Sequence, residues 1–189
     1  VKQGLMRDNK IIKKEVMTGI NLLAQGYATE LHKSVNHKYD GDKEYSFHLN
    51  LVVKFILKYQ YLLPKEVWEL AEAAGWCHDT IEDCRVTYND LLKVFGKELA
   101  EIVYALTNDK GKTRGERAGE KYYEGIINTP YAAFVKICDR LANIQYSKEQ
   151  GSDMFGKYKK EHIQFGTKLW TSEYQDMWDE MAIMLEETT

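Results

Sequence analysis

The amino-acid sequence predicts an all-α fold, a single helical bundle, and three observations carry that reading. Apolar residues recur at three- and four-residue spacing through most of the chain. No stretch shows the apolar–polar alternation of a half-buried strand. Only 2 prolines and 13 glycines occur in 189 residues, too few for a succession of tight β-turns. That length favours one domain over residues 1–189 and suffices to bury a core unaided by disulfides.

Taken in order, Ile11, Ile12, Val16, Ile20, Leu23 and Tyr27 place one or two helices between about residues 9 and 34. A polar stretch from Asn36 to Glu44 follows, with Asp40-Gly41 as its turn. Ser46 is positioned to cap a helix from His48 to Tyr59, apolar at Leu49, Val52, Val53, Ile56 and Leu57. Pro64 suits the first position of the next helix, where its missing N–H costs nothing. That helix runs through Val67, Leu70, Ala71, Ala74 and Cys77 to Asp83. Thr87 and Asp90 have capping-box spacing and open Tyr88–Phe95, which Gly96 stops. Lys97–Thr107 comes next, then a polar, basic loop from Asn108 to Gly115, then Glu116–Ile127. Thr129-Pro130 repeats the cap-plus-proline start for a helix to about Ser147. Phe155–Leu169 and Ser172–Glu187 complete the series, with residues 170–189 as a C-terminal helical extension. The Trp and Met residues of this tail read as core packing.

Hydrophobic residues make up 44% and charged residues 29%, the balance of an ordinary folded protein. A net charge of −3 argues against a nucleic-acid-coating protein, so no nucleic-acid partner is expected. Cys77, Cys84 and Cys138 cannot all pair, and no CxxC occurs, which suits a reducing compartment. The uncharged run from Val16 to Thr29 loosely imitates a secretory signal, yet Thr18, Asn21 and Gln25 interrupt it. It also falls short of the roughly 20 apolar residues a membrane span needs. The expectation is a cytoplasmic protein with no membrane partner.

The chemistry concentrates in Gly75-Trp76-Cys77-His78-Asp79-Thr80-Ile81-Glu82-Asp83. One imidazole and three carboxylates fall within two turns of an otherwise apolar helix. There His78 and Glu82 would share a face, as would Asp79 and Asp83. Buried carboxylates require neutralisation, and a divalent cation is the economical source; the plainer alternative is a helix end with solvated acids. His48 opens an apolar helix. Asp139 lies inside the apolar run Phe134 to Ala142, with Lys136 or Arg140 as alternative partners, and Asn143 follows one turn later.

The order His48, His78-Asp79, Asp139 resembles the HD-domain metal-dependent phosphohydrolases. With Glu82-Asp83 it looks like the hydrolase domain of the RelA/SpoT-type enzymes and the small alarmone hydrolases. Tyr45-Ser46-Phe47-His48, Phe95-Gly96, Leu106 to Lys110, Arg117 and Lys136 to Asn143 match further family segments, so the resemblance spans about residues 24–165. The chain departs from the family before the first histidine. Lys38 stands near the usual arginine, Glu44 stands at the usual proline, and the loop is about two residues longer. A lysine lacks the bidentate fork of arginine, which bears on substrate identity.

The resemblance implies that His48, His78, Asp79 and Asp139 hold one divalent metal, Mn2+ or another. Two imidazoles and two carboxylates suit a borderline metal, able to lower the pKa of a bound water. Glu82 and Asp83 would serve as catalytic base and orienting group. Lys38, Lys110 and Arg117 would bind phosphates, Asn143 the ribose or attacked phosphate, and Tyr158 a base. Gly111-Lys112-Thr113 is no P-loop, because Leu106 occupies the required glycine position. The implied activity is hydrolysis of the 3′-diphosphate of guanosine tetra- or pentaphosphate to GDP or GTP and pyrophosphate. The alternatives are an HD phosphohydrolase acting on NADPH or nucleoside monophosphates, and a non-catalytic nucleotide-binding regulator. The partner in each case is a small nucleotide; oligomeric state is not legible.

Overall fold

The computed structural model describes residues 19–108 and 113–186. Helix α1 covers residues 19–34; Ile11, Ile12 and Val16, expected in the same segment, lie outside the described residues, as does Glu187. A small antiparallel hairpin follows, β1 Lys38–Tyr39 and β2 Lys43–Glu44, in register Lys38↔Glu44 and Tyr39↔Lys43. The stretch expected as a plain polar loop therefore pairs with itself. Its turn lies at Asp40-Gly41, with φ of 51° and 85°, the left-handed backbone that Asp tolerates and Gly favours.

The remaining helices are α2 Ser46–Tyr59, α3 Trp68–Cys77, α4 Thr80–Asp83, α5 Tyr88–Phe95, α6 Lys97–Leu106, α7 Arg114–Arg117, α8 Glu120–Asn128, α9 Ala132–Glu149, α10 Asp153–Leu169 and α11 Gln175–Leu185. Tight 3-10 turns at Gln60–Leu62, Lys65–Val67 and Ser172–Tyr174 join some of them. Among the described residues no helix is long and apolar enough to cross a membrane.

Several boundaries differ from expectation for local reasons. Ser46 lies inside α2 and does not cap it; Tyr45 holds the cap position with no side-chain hydrogen bond. Pro64 adopts extended backbone before the Lys65–Val67 turn, so α3 starts at Trp68. The expected helix through Asp83 breaks at Asp79, whose φ of −100° and ψ of 0° put it in the bridge region. Ala118-Gly119 divides the expected Glu116 helix into α7 and α8. Thr129-Pro130 precedes α9 by a turn, with Tyr131 in the left-handed region. The Thr87–Asp90 capping box is formed, and Ser152 caps α10.

Helix α9 is central, packing on α2, α3, α6, α8, α10 and α11. Its Phe134, Ile137, Leu141 and Ile144 are fully buried, each worth about 2 kcal/mol of burial. Met177, Trp178 and Met181 of the tail join that core, whereas Trp170 and Ile183 are exposed. Helix α2 divides two apolar clusters, giving Val52 and Ile56 to one and Leu49 and Val53 to the other.

Candidate metal centre and active site

Three elements deliver the ligand-type residues. The first turn of α2 carries His48, the α3–α4 break carries His78 and Asp79, and the middle of α9 carries Asp139. Helix α3 lies so close to α2 that a Cβ on Gly75 would come within 2.3 Å of Ile56 Cδ1. Glycine thus permits the approach, and His78 follows three residues later.

One ligand-type atom from each of His48, His78 and Asp139 lies within 4.8 Å of the other two. His48 Nε2 is 3.3 Å from Asp139 Oδ1 and 3.8 Å from Asp79 Oδ2. His78 Nε2 is 2.8 Å from Asp79 Oδ2 and 3.8 Å from Asp139 Oδ1. Asp79 reaches both imidazoles but stands outside the mutual 4.8 Å group. His78 Nδ1 faces the Gly75 carbonyl at 2.9 Å, which assigns the proton there and aims Nε2 at the cluster. Although near Asp79, His78 Nε2 is buried without an aligned hydrogen bond. The Tyr45 hydroxyl instead donates to Asp79 Oδ2 at 2.5 Å.

Electrostatics agree with a cation site. Burial alone would lower the His78 pKa, but Asp79 and Asp139 outweigh it and raise the pKa to about 9. Burial works against ionised Asp139, yet the Lys136 ammonium and the two histidines hold its carboxyl well below the usual range. Burial likewise opposes the Asp79 charge, and His78 overcomes it. A proton drawn onto His78 therefore balances charge that a divalent metal would balance instead. A buried, unaligned imidazole nitrogen beside two carboxylates fits such an ion, and the mixed nitrogen and oxygen donors suit a borderline one.

A cavity of about 300 Å³ opens beside this cluster, at the small end of ligand pockets. Glu82, Asp83, Arg117, Asn143 and Tyr158 line it. Asn108 donates to Glu82 from its backbone N–H (3.3 Å) and from Nδ2 (3.0 Å to Oε2). Partial burial and the negative charges of Asp79 and Glu82 push Asp83 up to about 7.

Other expected contacts are differently disposed. Lys38 pairs with Glu44 across the hairpin and is not among the cavity-lining residues. Lys110 lies outside the described residues. The Asn143 Nδ2 donates to Asp139 Oδ1 (2.6 Å) and to the Asp139 carbonyl (3.0 Å), so its amide is engaged within the protein. Tyr158 is buried, with the Arg140 guanidinium 4.4 Å from its ring centre. Lys136 does pair with Asp139, at 3.0 Å, and also lines the cavity. Burial opposes its charge, but Tyr122 and Asp139 keep it firmly protonated. Arg140 turns away to Glu161. The Asn108 anchor of Glu82 had no local sequence signal, since the contact arises only in the folded chain.

No family model matches the sequence. The chain is 29% identical over 128 residues to guanosine-3′,5′-bis(diphosphate) 3′-pyrophosphohydrolase MESH1 of Danio rerio, covering 68% of this chain and 69% of that protein. The Xenopus tropicalis protein of the same name is 28% identical over 66% of this chain and 67% of its own length. The guanosine-3′,5′-bis(diphosphate) 3′-pyrophosphohydrolase of Aquifex aeolicus is 36% identical over 76 residues, 38% of this chain and 11% of that protein. A solved structure of a metazoan ortholog of SpoT, described as hydrolysing ppGpp, superposes with a TM-score of 0.67 at 21% identity. It covers 89% of this chain and 97% of its own, and shows a shared fold. In motif, in the arrangement of its ligand-type residues and in fold, the chain is similar to the HD-domain hydrolases of the RelA/SpoT type.

Proposed function

We propose that the chain hydrolyses the 3′-diphosphate of guanosine tetra- or pentaphosphate, releasing pyrophosphate and leaving GDP or GTP. The carrying observation is that His48, Asp79 and Asp139 line the same cavity as Glu82, Asp83, Arg117 and Lys136, with His78 Nε2 2.8 Å behind Asp79 Oδ2. The names of the relatives support the choice of substrate.

His48, His78, Asp79 and Asp139 would hold one divalent ion, manganese in our reading. Such an ion supplies Lewis acidity and makes hydroxide available near neutral pH. Glu82, fixed by Asn108, accepts the proton of the water that attacks the phosphorus attached to the ribose 3′ oxygen. The bond from that phosphorus to the 3′ oxygen breaks, and the departing oxygen takes a proton. Asp83, with its raised pKa, is suited to hold one. Arg117 and Lys136 offer positive charge to the diphosphate, and Tyr158 forms wall where the base would rest. Free, buried Cys77, Cys84 and Cys138 suit work in the cytoplasm.

The test is pyrophosphate release from guanosine tetraphosphate with manganese, after chelation, and after manganese is restored. Loss and recovery of turnover is the expected result. Faster phosphate release from NADPH or a nucleoside monophosphate would reassign the substrate; tight nucleotide binding without turnover would make the chain a regulator.

A further inference from the structure

The two imidazoles of the centre are supported unequally. His78 has its far nitrogen tied to the Gly75 carbonyl, the usual arrangement for a metal-ligating histidine. His48 has no such tie: its Nδ1 is buried without a hydrogen-bond partner. Something else must set the rotation of that ring. Tyr39 lies over it, with ring centres 4.9 Å apart and planes within 15°, while Tyr45 meets it edge-on at 5.4 Å.

Tyr39 also reaches the other side of the cluster. Its hydroxyl donates to Asn143 Oδ1 at 3.2 Å, and the Asn143 Nδ2 holds Asp139. One hairpin residue thus bears on a ligand of α2 and, through an amide, on a ligand of α9. The hairpin has its own anchorage. Tyr146 of α9 donates to Asp40 Oδ2 at 2.6 Å, and its ring lies 4.9 Å from that of Tyr39.

We propose that Tyr39 is a positioning residue of the metal centre, its ring fixing His48 and its hydroxyl orienting the Asn143 amide against Asp139. Asn143 then belongs to the support of Asp139, since its oxygen is taken by Tyr39 and its NH2 by Asp139. This rests on the metal reading above but not on the substrate.

The experiment measures manganese affinity of the full chain by the EPR signal of free Mn2+, with thermal unfolding in chelator to confirm folding. Tyr39→Leu, which removes the stacked ring, is expected to weaken manganese at least tenfold. Tyr39→Phe keeps the ring and is expected to lose only two- to threefold. That smaller loss should vanish when Asn143 is already alanine, as coupling through one amide requires. Wild-type affinity in folded Tyr39→Leu, or equal losses in the Leu and Phe variants, would overturn the ring's role. Should the leucine variant not fold, the Phe and Asn143→Ala cycle decides alone: additive losses overturn the proposal. A wild-type chain that binds no manganese sinks the metal reading itself. Normal binding with no pyrophosphate release sinks only the substrate.

Discussion

His78 and Asp79 are neighbours in sequence, yet their side chains meet at one point, with Nε2 of one 2.8 Å from Oδ2 of the other. On a continuous helix, adjacent side chains diverge by about 100°. The break at Asp79 between α3 and α4 lets both face His48 and Asp139.

Removing His78 or Asp139 should abolish metal binding at the proposed centre. His78→Ala or Asp139→Asn is expected to abolish stoichiometric manganese binding and to lower pyrophosphate release by about a thousandfold, the scale of several kcal/mol of Lewis-acid stabilisation. Metal analysis of the purified variants checks the first outcome, and an initial-rate assay the second. Full manganese occupancy in either variant would contradict the assignment.

Glu82 and its anchor should separate chemistry from metal binding. Glu82→Gln is expected to lower kcat by about 10²- to 10⁴-fold while manganese content stays at the wild-type level. Asn108→Ala releases the carboxylate without removing it, so its loss should be smaller, on the order of tenfold in kcat. Steady-state kinetics with metal analysis distinguishes the two.

Gly75→Ala tests the helix approach. The added methyl would sit 2.3 Å from Ile56 Cδ1, an overpacking that typically costs about 1–3 kcal/mol. Urea unfolding should show a lower midpoint at unchanged slope; an unchanged midpoint would mean that the Ile56 side chain turns aside and that glycine is not needed for the helix approach.

Acid should weaken the fold through His32. This residue is 1% exposed, its Nε2 lacks a partner, and burial lowers its pKa from 6.5 to about 4. The folded pKa is the lower one, so the unfolded chain takes up the proton first. Stability on this account is whole above the unfolded value and is lost as pH falls from about 6.5 towards 4, by up to about 3 kcal/mol. His32→Phe retains a ring against Tyr45, which His32 stacks on at 4.2 Å. Unfolding free energies in chelator at about pH 7 and pH 4.5 should fall less for the variant; parallel losses would refute the account.

The chemistry was more legible in the sequence than the geometry that arms it. The acids of the His78 to Asp83 segment and Asp139 stood out because charged groups in apolar helices must be neutralised, whereas grouping His48 with them as one ligand set rested on the family resemblance. The break at Asp79 did not stand out, because periodicity continues across it and only tertiary contact shows the bend. Lys38 was assigned by its place before the first histidine, but the hairpin register sets it opposite Glu44. Tyr39 and Asn108 left no local trace, as each acts on a residue far along the chain. The helices themselves were legible from spacing, while the break at Gly119, a stop signal of the kind read at Gly96, was passed over.

The ion pair between Lys136 and Asp139 has a bearing on how the protein matures. An ammonium one turn from a proposed ligand carboxylate provides a resident counter-charge, so the polypeptide should be able to collapse and pack during synthesis before the proposed site takes up an ion. Loading then becomes a late, separable event, and chelator-treated material should be a folded reservoir from which activity is recovered simply by supplying metal.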